Sequence, residues 1–180
     1  MVLLRRKDRP EMAQAIVASD SLTLRRPSCG RLKIGRDALK SMRGYIQDSP
    51  EKTEACGVLL GRYIKDTDDV VVDSVTVPTR GDRRTRLRYF RARKAHQEQI
   101  DIAWARSRGT SVYLGEWHTH PVATPVPSTV DILDWRRKLL VDSFARYLFF
   151  LILGTHQIGM WEGRRHRWQL EPLRLQEGSG

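Results

Sequence analysis

An α/β sandwich with a mixed sheet is the fold class this 180-residue sequence predicts, on three observations. The order of periodic segments reads helix, strands, helix, strand, helix, strands. CGVLLG at 56–61 and DVVVDSVTVP at 69–78 are β-rich runs joined by the charged turn KDTDD, the form of a hairpin. YLFFLIL at 147–153 is continuously apolar, as a strand covered on both faces should be.

Taken in order, residues 1–30 mix basic residues, Ser and Pro without a sustained period and read as a flexible basic extension, with a weak helix over 9–18. LKI at 32–34 is a short strand. Asp37 then precedes a helix whose stripe is Leu39, Met42 and Ile46, closed by Ser49-Pro50. After the hairpin, residues 80–94 carry eight Lys or Arg and one acid. Such a run is ordinarily a solvated loop; the sharper reading is a grip on an acidic substrate or on nucleic acid through Arg83, Arg84 and Arg86, with Tyr89 and Phe90 for packing or stacking. Residues 94–107 predict a helix with Ile100, Ala103 and Trp104 on one face, stopping at Gly109. SVYLGEWH is a strand, and Thr129 to about Leu140 a helix. QIGMW and HRWQLEPL, joined by EGRR, form a last hairpin before a disordered tail at 173–180.

One domain with a real core fits this length, spanning 31–172. The formal charge of +11 and pI near 10.2 favour polyanions or an acidic protein partner. No apolar run reaches membrane-spanning length, and MVLLRRKDRP turns charged too early for a signal peptide, so a cytoplasmic protein is expected. Cys29 and Cys56 make no disulfide framework, and Cys56, in a buried strand, reads as a core residue rather than a nucleophile.

The chain is organised around GEWHTHPVATPVPSTVDILDW, residues 115–135. Alternate strand residues share a face, so His118 and His120 aim at one point. Asp131 can return to that point from the first turn of the following helix, where Ser128-x-x-Asp131 has the form of a capping box. Two imidazoles and a carboxylate are the ligand set of catalytic zinc. A metallo-β-lactamase site would need an acid where Val122 stands, and a cupin a nearby Glu where none occurs before Glu162. Trp117 alternates to the face opposite the ligands, Trp135 reads as core, and Pro121–Pro127 shapes the cleft rim. Glu116 shares the face of His118 and His120 and could serve as a general base.

The set Glu54, His118-x-His120, seven residues, Ser128, two residues, Asp131 resembles the motif of the JAMM metallopeptidases, also called JAB or MPN-plus domains, with no departure in spacing. Glu54 stands in EACGVLLG, similar to the family's context. The resemblance implies a cytidine-deaminase-like JAB fold with one Zn2+ per chain on His118, His120 and Asp131. It assigns proton transfer to Glu54, favouring it over Glu116, and gives Ser128 a role in orienting or stabilising an oxyanion. GEWHTHP with PVPSTVDILDW, on so compact a chain, is further similar to the small bacterial JAB proteins of CBASS anti-phage operons. That implies a deconjugating isopeptidase, releasing the C-terminal tail of a cGAS-like nucleotidyltransferase attached by a ubiquitin-transfer-like enzyme. A peptidase for a ubiquitin-like sulfur carrier and a basic nucleic-acid-binding accessory protein stay open as alternatives. A cytidine-type deaminase would need Cys-x-x-Cys, which the chain lacks.

Overall fold

The computed structural model describes residues 20–141 and 146–176. Strands β1 (Leu22–Arg25) and β2 (Arg31–Ile34) lead into helix α1 (Arg36–Arg43), then the hairpin of β3 (Cys56–Tyr63) and β4 (Val70–Val75). A ribbon of β5 (Arg83–Arg84) and β6 (Tyr89–Phe90) precedes α2 (Arg93–Arg106), β7 (Val112–Thr119) and α3 (Thr129–Val141). The chain closes with β8 (Tyr147–Leu153), β9 (Ile158–Arg164), β10 (Leu170–Pro172) and β11 (Arg174–Leu175). Among the described residues one mixed sheet runs β10-β9-β8-β7-β3-β4-β2-β1-β11, while β5 pairs with β6 alone. β7 lies parallel to β8, and β2 to β4.

The sheet separates two cores, and β8 shows why an uninterrupted apolar run was needed there. Phe149, Leu151 and Leu153 pack with Leu39 and Met42 of α1, whereas Leu148, Phe150 and Ile152 pack with Trp135 and Leu139 of α3. Alternation in β7 is broken by a bulge: Leu59 faces Gly115 but Leu60 faces Tyr113, so Leu114 is skipped. Leu114 and Trp117, three positions apart, therefore share the α1 side of the sheet. Glu116 and His118 are carried to the α3 side, the opposite of what strict alternation from Leu114 would give. Gly115 makes this possible. Its φ is +147°, and a Cβ there would lie 1.8 Å from the Phe149 carbonyl oxygen of β8.

Several boundaries differ from those the sequence predicts. α1 ends at Arg43, with Gly44 as C-cap, so Ile46 lies beyond the helix, though it still packs on the core; Ser49-Pro50 closes nothing. Residues 22–25, assigned to a flexible extension, form β1, and residues 174–175, assigned to a disordered tail, pair with it. The physical reason is burial: Leu24 and Leu173 enter the core, and Leu175, opposite Leu24, packs against it. The weak helix over 9–18 and the last four residues lie outside the described residues. In α2 the buried residue is His96, while Trp104 is 56% exposed. Glu162 to Arg164 of the EGRR turn continue β9, so that turn starts later. Among the described residues no helix is long and apolar enough to cross a membrane.

Candidate metal and catalytic site

His118 lies near the end of β7, on the α3 side, its side chain 2% exposed. Below it Trp135 stands 6.1 Å away, ring to ring, and itself stacks on Phe150 at 4.7 Å. Tyr89 of the ribbon approaches the His118 ring to 5.7 Å. His120 follows the strand, its N–H donating to the Leu153 carbonyl at 3.0 Å. The Pro121–Pro127 loop is then tied down by hydrogen bonds from Thr155, His156 and Gln157 to the carbonyls of Val122 and Ala123. That path returns the chain to α3.

At the start of α3 the capping box is formed. The Ser128 N–H donates to Asp131 Oδ2 at 2.7 Å, and the Asp131 N–H to Ser128 Oγ at 3.2 Å. The Ser128 hydroxyl lies 2.7 Å from Asp131 Oδ2 and donates to it. Asp131 then presents Oδ1 3.3 Å from His118 Nε2 and Oδ2 3.5 Å from His120 Nε2, and the two Nε2 atoms are 3.1 Å apart. A tetrahedral ion with bonds of about 2.0–2.2 Å needs ligand atoms roughly 3.3–3.6 Å from one another. The two histidine–carboxylate separations meet that demand, and the Nε2 pair stands slightly closer, at 3.1 Å.

Glu54, two residues before β3, joins them. Among the described residues its carboxylate, with His118 and His120, forms a group whose potential ligand atoms all lie within 4.8 Å of one another. Either carboxylate could thus complete a three-ligand site, and the two differ in protonation. Burial opposes ionisation of Asp131, but hydrogen bonds from His118, His120 and Ser128 overcome it and hold the carboxyl far below its usual range. Burial, with the Asp131 charge beside it, pushes the Glu54 carboxyl up to about 8. Burial also keeps His118 below the ordinary imidazole value despite Asp131. Metal ligands must be deprotonated, which suits neutral His118 and ionised Asp131; a proton carrier works best near the ambient pH, which suits Glu54.

Residues 37–171 match the family described as prokaryotic homologs of the JAB domain. The chain belongs to that family. A CD-NTase/cGAS isopeptidase of Vibrio cholerae is 39% identical over 114 residues, 63% of this JAB chain and 69% of its own length. The Pseudomonas aeruginosa protein of the same name is 37% identical over 127 residues, 71% and 79% of the two chains. A Desulfitobacterium hafniense protein solved in solution shares the fold, with a TM-score of 0.52 at 21% identity over 81% of this chain and 92% of that one.

Glu116, the rival proton carrier, is engaged elsewhere in this JAB domain. It pairs with Arg91 and, at 2.7 Å, with Lys138 Nζ, and Lys138 also meets Asp134. Arg91, Asp134 and Lys138 were not separable from the surrounding charge in the sequence. Cys56 is buried, and burial pushes its thiol up to about 12. Of the basic stretch, Arg83 lies over the Phe90 ring and Arg86 donates to the Ser49 carbonyl at 2.8 Å, while Arg84 pairs in register with Tyr89. The neck of the stretch is locked by buried Asp82, which accepts the Thr79 and Ala92 N–H groups at 2.7 and 2.6 Å and meets His96 Nε2 at 3.1 Å. His96 in turn meets Thr76 Oγ1 at 2.7 Å, a structural use that its spacing in the sequence did not signal.

Proposed function

We propose that this chain is a zinc-dependent isopeptidase. It hydrolyses the amide between the C-terminal carboxyl of a cGAS-like nucleotidyltransferase and an amine of its conjugate, undoing the work of a ubiquitin-transfer-like enzyme in the cytoplasm. The observation that carries the reading is the convergence of His118, His120 and Asp131 with Glu54 alongside, on a chain whose relatives bear the isopeptidase name.

His118, His120 and Asp131 would hold the ion, with Ser128 fixing Asp131. Zinc held there would supply Lewis acidity for lowering the pKa of a water and polarising a carbonyl. Glu54 takes a proton from the attacking water and delivers it to the departing amine as the C–N bond breaks. The site needs a low-dielectric wall for this transfer, and Trp135 and Tyr89 provide it. Arg83, Arg84 and Arg86, beside the site on the ribbon, grip the conjugated protein near its tail.

The test uses a nucleotidyltransferase joined through its C-terminus to a lysine amine, with cleavage read by mass spectrometry. Wild-type protein should cut at that amide and stop when chelated. Glu54→Gln should retain zinc while losing roughly 10²- to 10⁴-fold in kcat. Neutralising Arg83, Arg84 and Arg86 together should raise KM. Salt-sensitive DNA binding without chelator-sensitive cleavage would replace this reading with the nucleic-acid one.

A further inference from the structure

Behind the site, on the α1 side of the sheet, lies a polar pair that the reading above does not use. Gln47 is 2% exposed and Thr119, between the two histidines, is fully buried. The Thr119 hydroxyl donates to Gln47 Oε1 at 2.8 Å and accepts the Ala55 N–H at 2.9 Å. The Thr119 N–H returns to the Ala55 carbonyl at 2.9 Å. The Gln47 amide spends its two hydrogens on the carbonyls of Arg86, at 2.9 Å, and Lys52, at 3.3 Å. Every side-chain hydrogen of this pair that can be donated is therefore spent within the protein. Buried groups so engaged have few alternative arrangements and fix what they touch.

What they touch is functional on both sides. Ala55 adjoins Glu54, whose own N–H donates to the Thr85 carbonyl at 2.7 Å. Cys56 faces His118 in register, so the Ala55–Thr119 clamp is the next rung of the same ladder, at the level where Glu54 must meet the histidines. Arg86 belongs to the basic ribbon.

We propose that Thr119 and Gln47 are positioning residues. Thr119 fixes the Glu54 carboxyl against the histidine pair through Ala55, and Gln47 joins that clamp to the ribbon at Arg86. The inference rests on Glu54 as the proton carrier.

Kinetics on the conjugate, zinc affinity by chelator competition, and amide exchange at Ala55 in the metal-free chain test it together. Thr119→Val should lower kcat roughly 10- to 100-fold, the scale of a slight misplacement of a reacting group, with KM within about twofold. Zinc affinity should stay within about threefold of wild type, exchange at Ala55 should accelerate, and Thr119→Ser should restore all of these. Gln47→Met keeps the Ala55–Thr119 bond but frees Arg86, so it should raise KM about fivefold and lower kcat less than Thr119→Val. In a Glu54→Gln background neither substitution should lower kcat further, because each acts on kcat through Glu54. An undiminished kcat in Thr119→Val, equal losses in the Glu54→Gln background, or zinc loss matching the kcat loss overturns the proposal. If Thr119→Val does not stay folded, Gln47→Met carries the test: its kcat loss must vanish in the Glu54→Gln background. A Glu54→Gln chain as active as wild type would instead overturn the role of Glu54 itself.

Discussion

Ser128→Ala separates two jobs that one hydroxyl could do. The substitution removes the 2.7 Å bond to Asp131 Oδ2 and the acceptor for the Asp131 N–H, but leaves the Ser128 N–H on Oδ2. Ser128 is exposed, so water can serve the freed helix N–H, and the cost in stability should stay near the usual cap value of about 1 kcal/mol. For a chain of this length that is a fall in Tm of roughly 2–4 °C. Asp131 loses its orienting partner at the ligand end, where removal of a supporting bond typically costs 10- to 100-fold in metal affinity. With one backbone bond retained, the low end applies, about tenfold or 1.4 kcal/mol. Metal-free protein unfolded in urea reports the cap, and zinc titration against a chelator of known affinity reports the ligand. A variant that binds zinc as tightly as wild type yet turns over far more slowly would refute this reasoning and return the hydroxyl to an oxyanion.

Other expectations follow from the same geometry. In metal-free protein the Glu54 carboxyl rises from its ordinary 4.5 to about 8, so between these values the folded chain holds a proton the unfolded chain has released. Stability should then fall as pH rises through that window, by at most about 4–5 kcal/mol, and Glu54→Gln should flatten the curve measured in urea. His118, held neutral, acts in the opposite sense up to about pH 6.5, and the contribution of Asp131 is complete above about pH 5, so the difference between the two chains isolates Glu54. Trp135→Ala should cost about 3–5 kcal/mol in urea unfolding and weaken zinc binding, because it empties the space between His118, Phe150 and Trp161. A thiol reagent should label Cys29 in the native protein and leave Cys56 unreacted until unfolding, and Cys56→Ser should keep its activity; rapid labelling of both would contradict the burial of Cys56.

The sequence by itself determined the central strands and helices and which residues the fold would bring to one point. Alternation, apolar runs and the spacing of His118, His120, Ser128 and Asp131 are local, and local patterns survive in a string of letters. YLFFLIL has the length and continuous apolar character of a strand between two cores, and Ser128-x-x-Asp131 could cap a helix whatever surrounded it. The rest is non-local. That β1 and β11 pair depends on two distant segments meeting at one sheet edge, and neither carries a pattern long enough to announce it. The resemblance alone favoured Glu54 over Glu116; that Glu116 is occupied by cations was not legible, because Arg91 and Lys138 reach it from a loop and a helix far apart in the chain. Tertiary structure alone decided the face on which the site opens. The bulge at Leu114 and Gly115 turns His118 away from the side that counting along β7 would assign, because close approach of β8 is possible only over a residue without a Cβ.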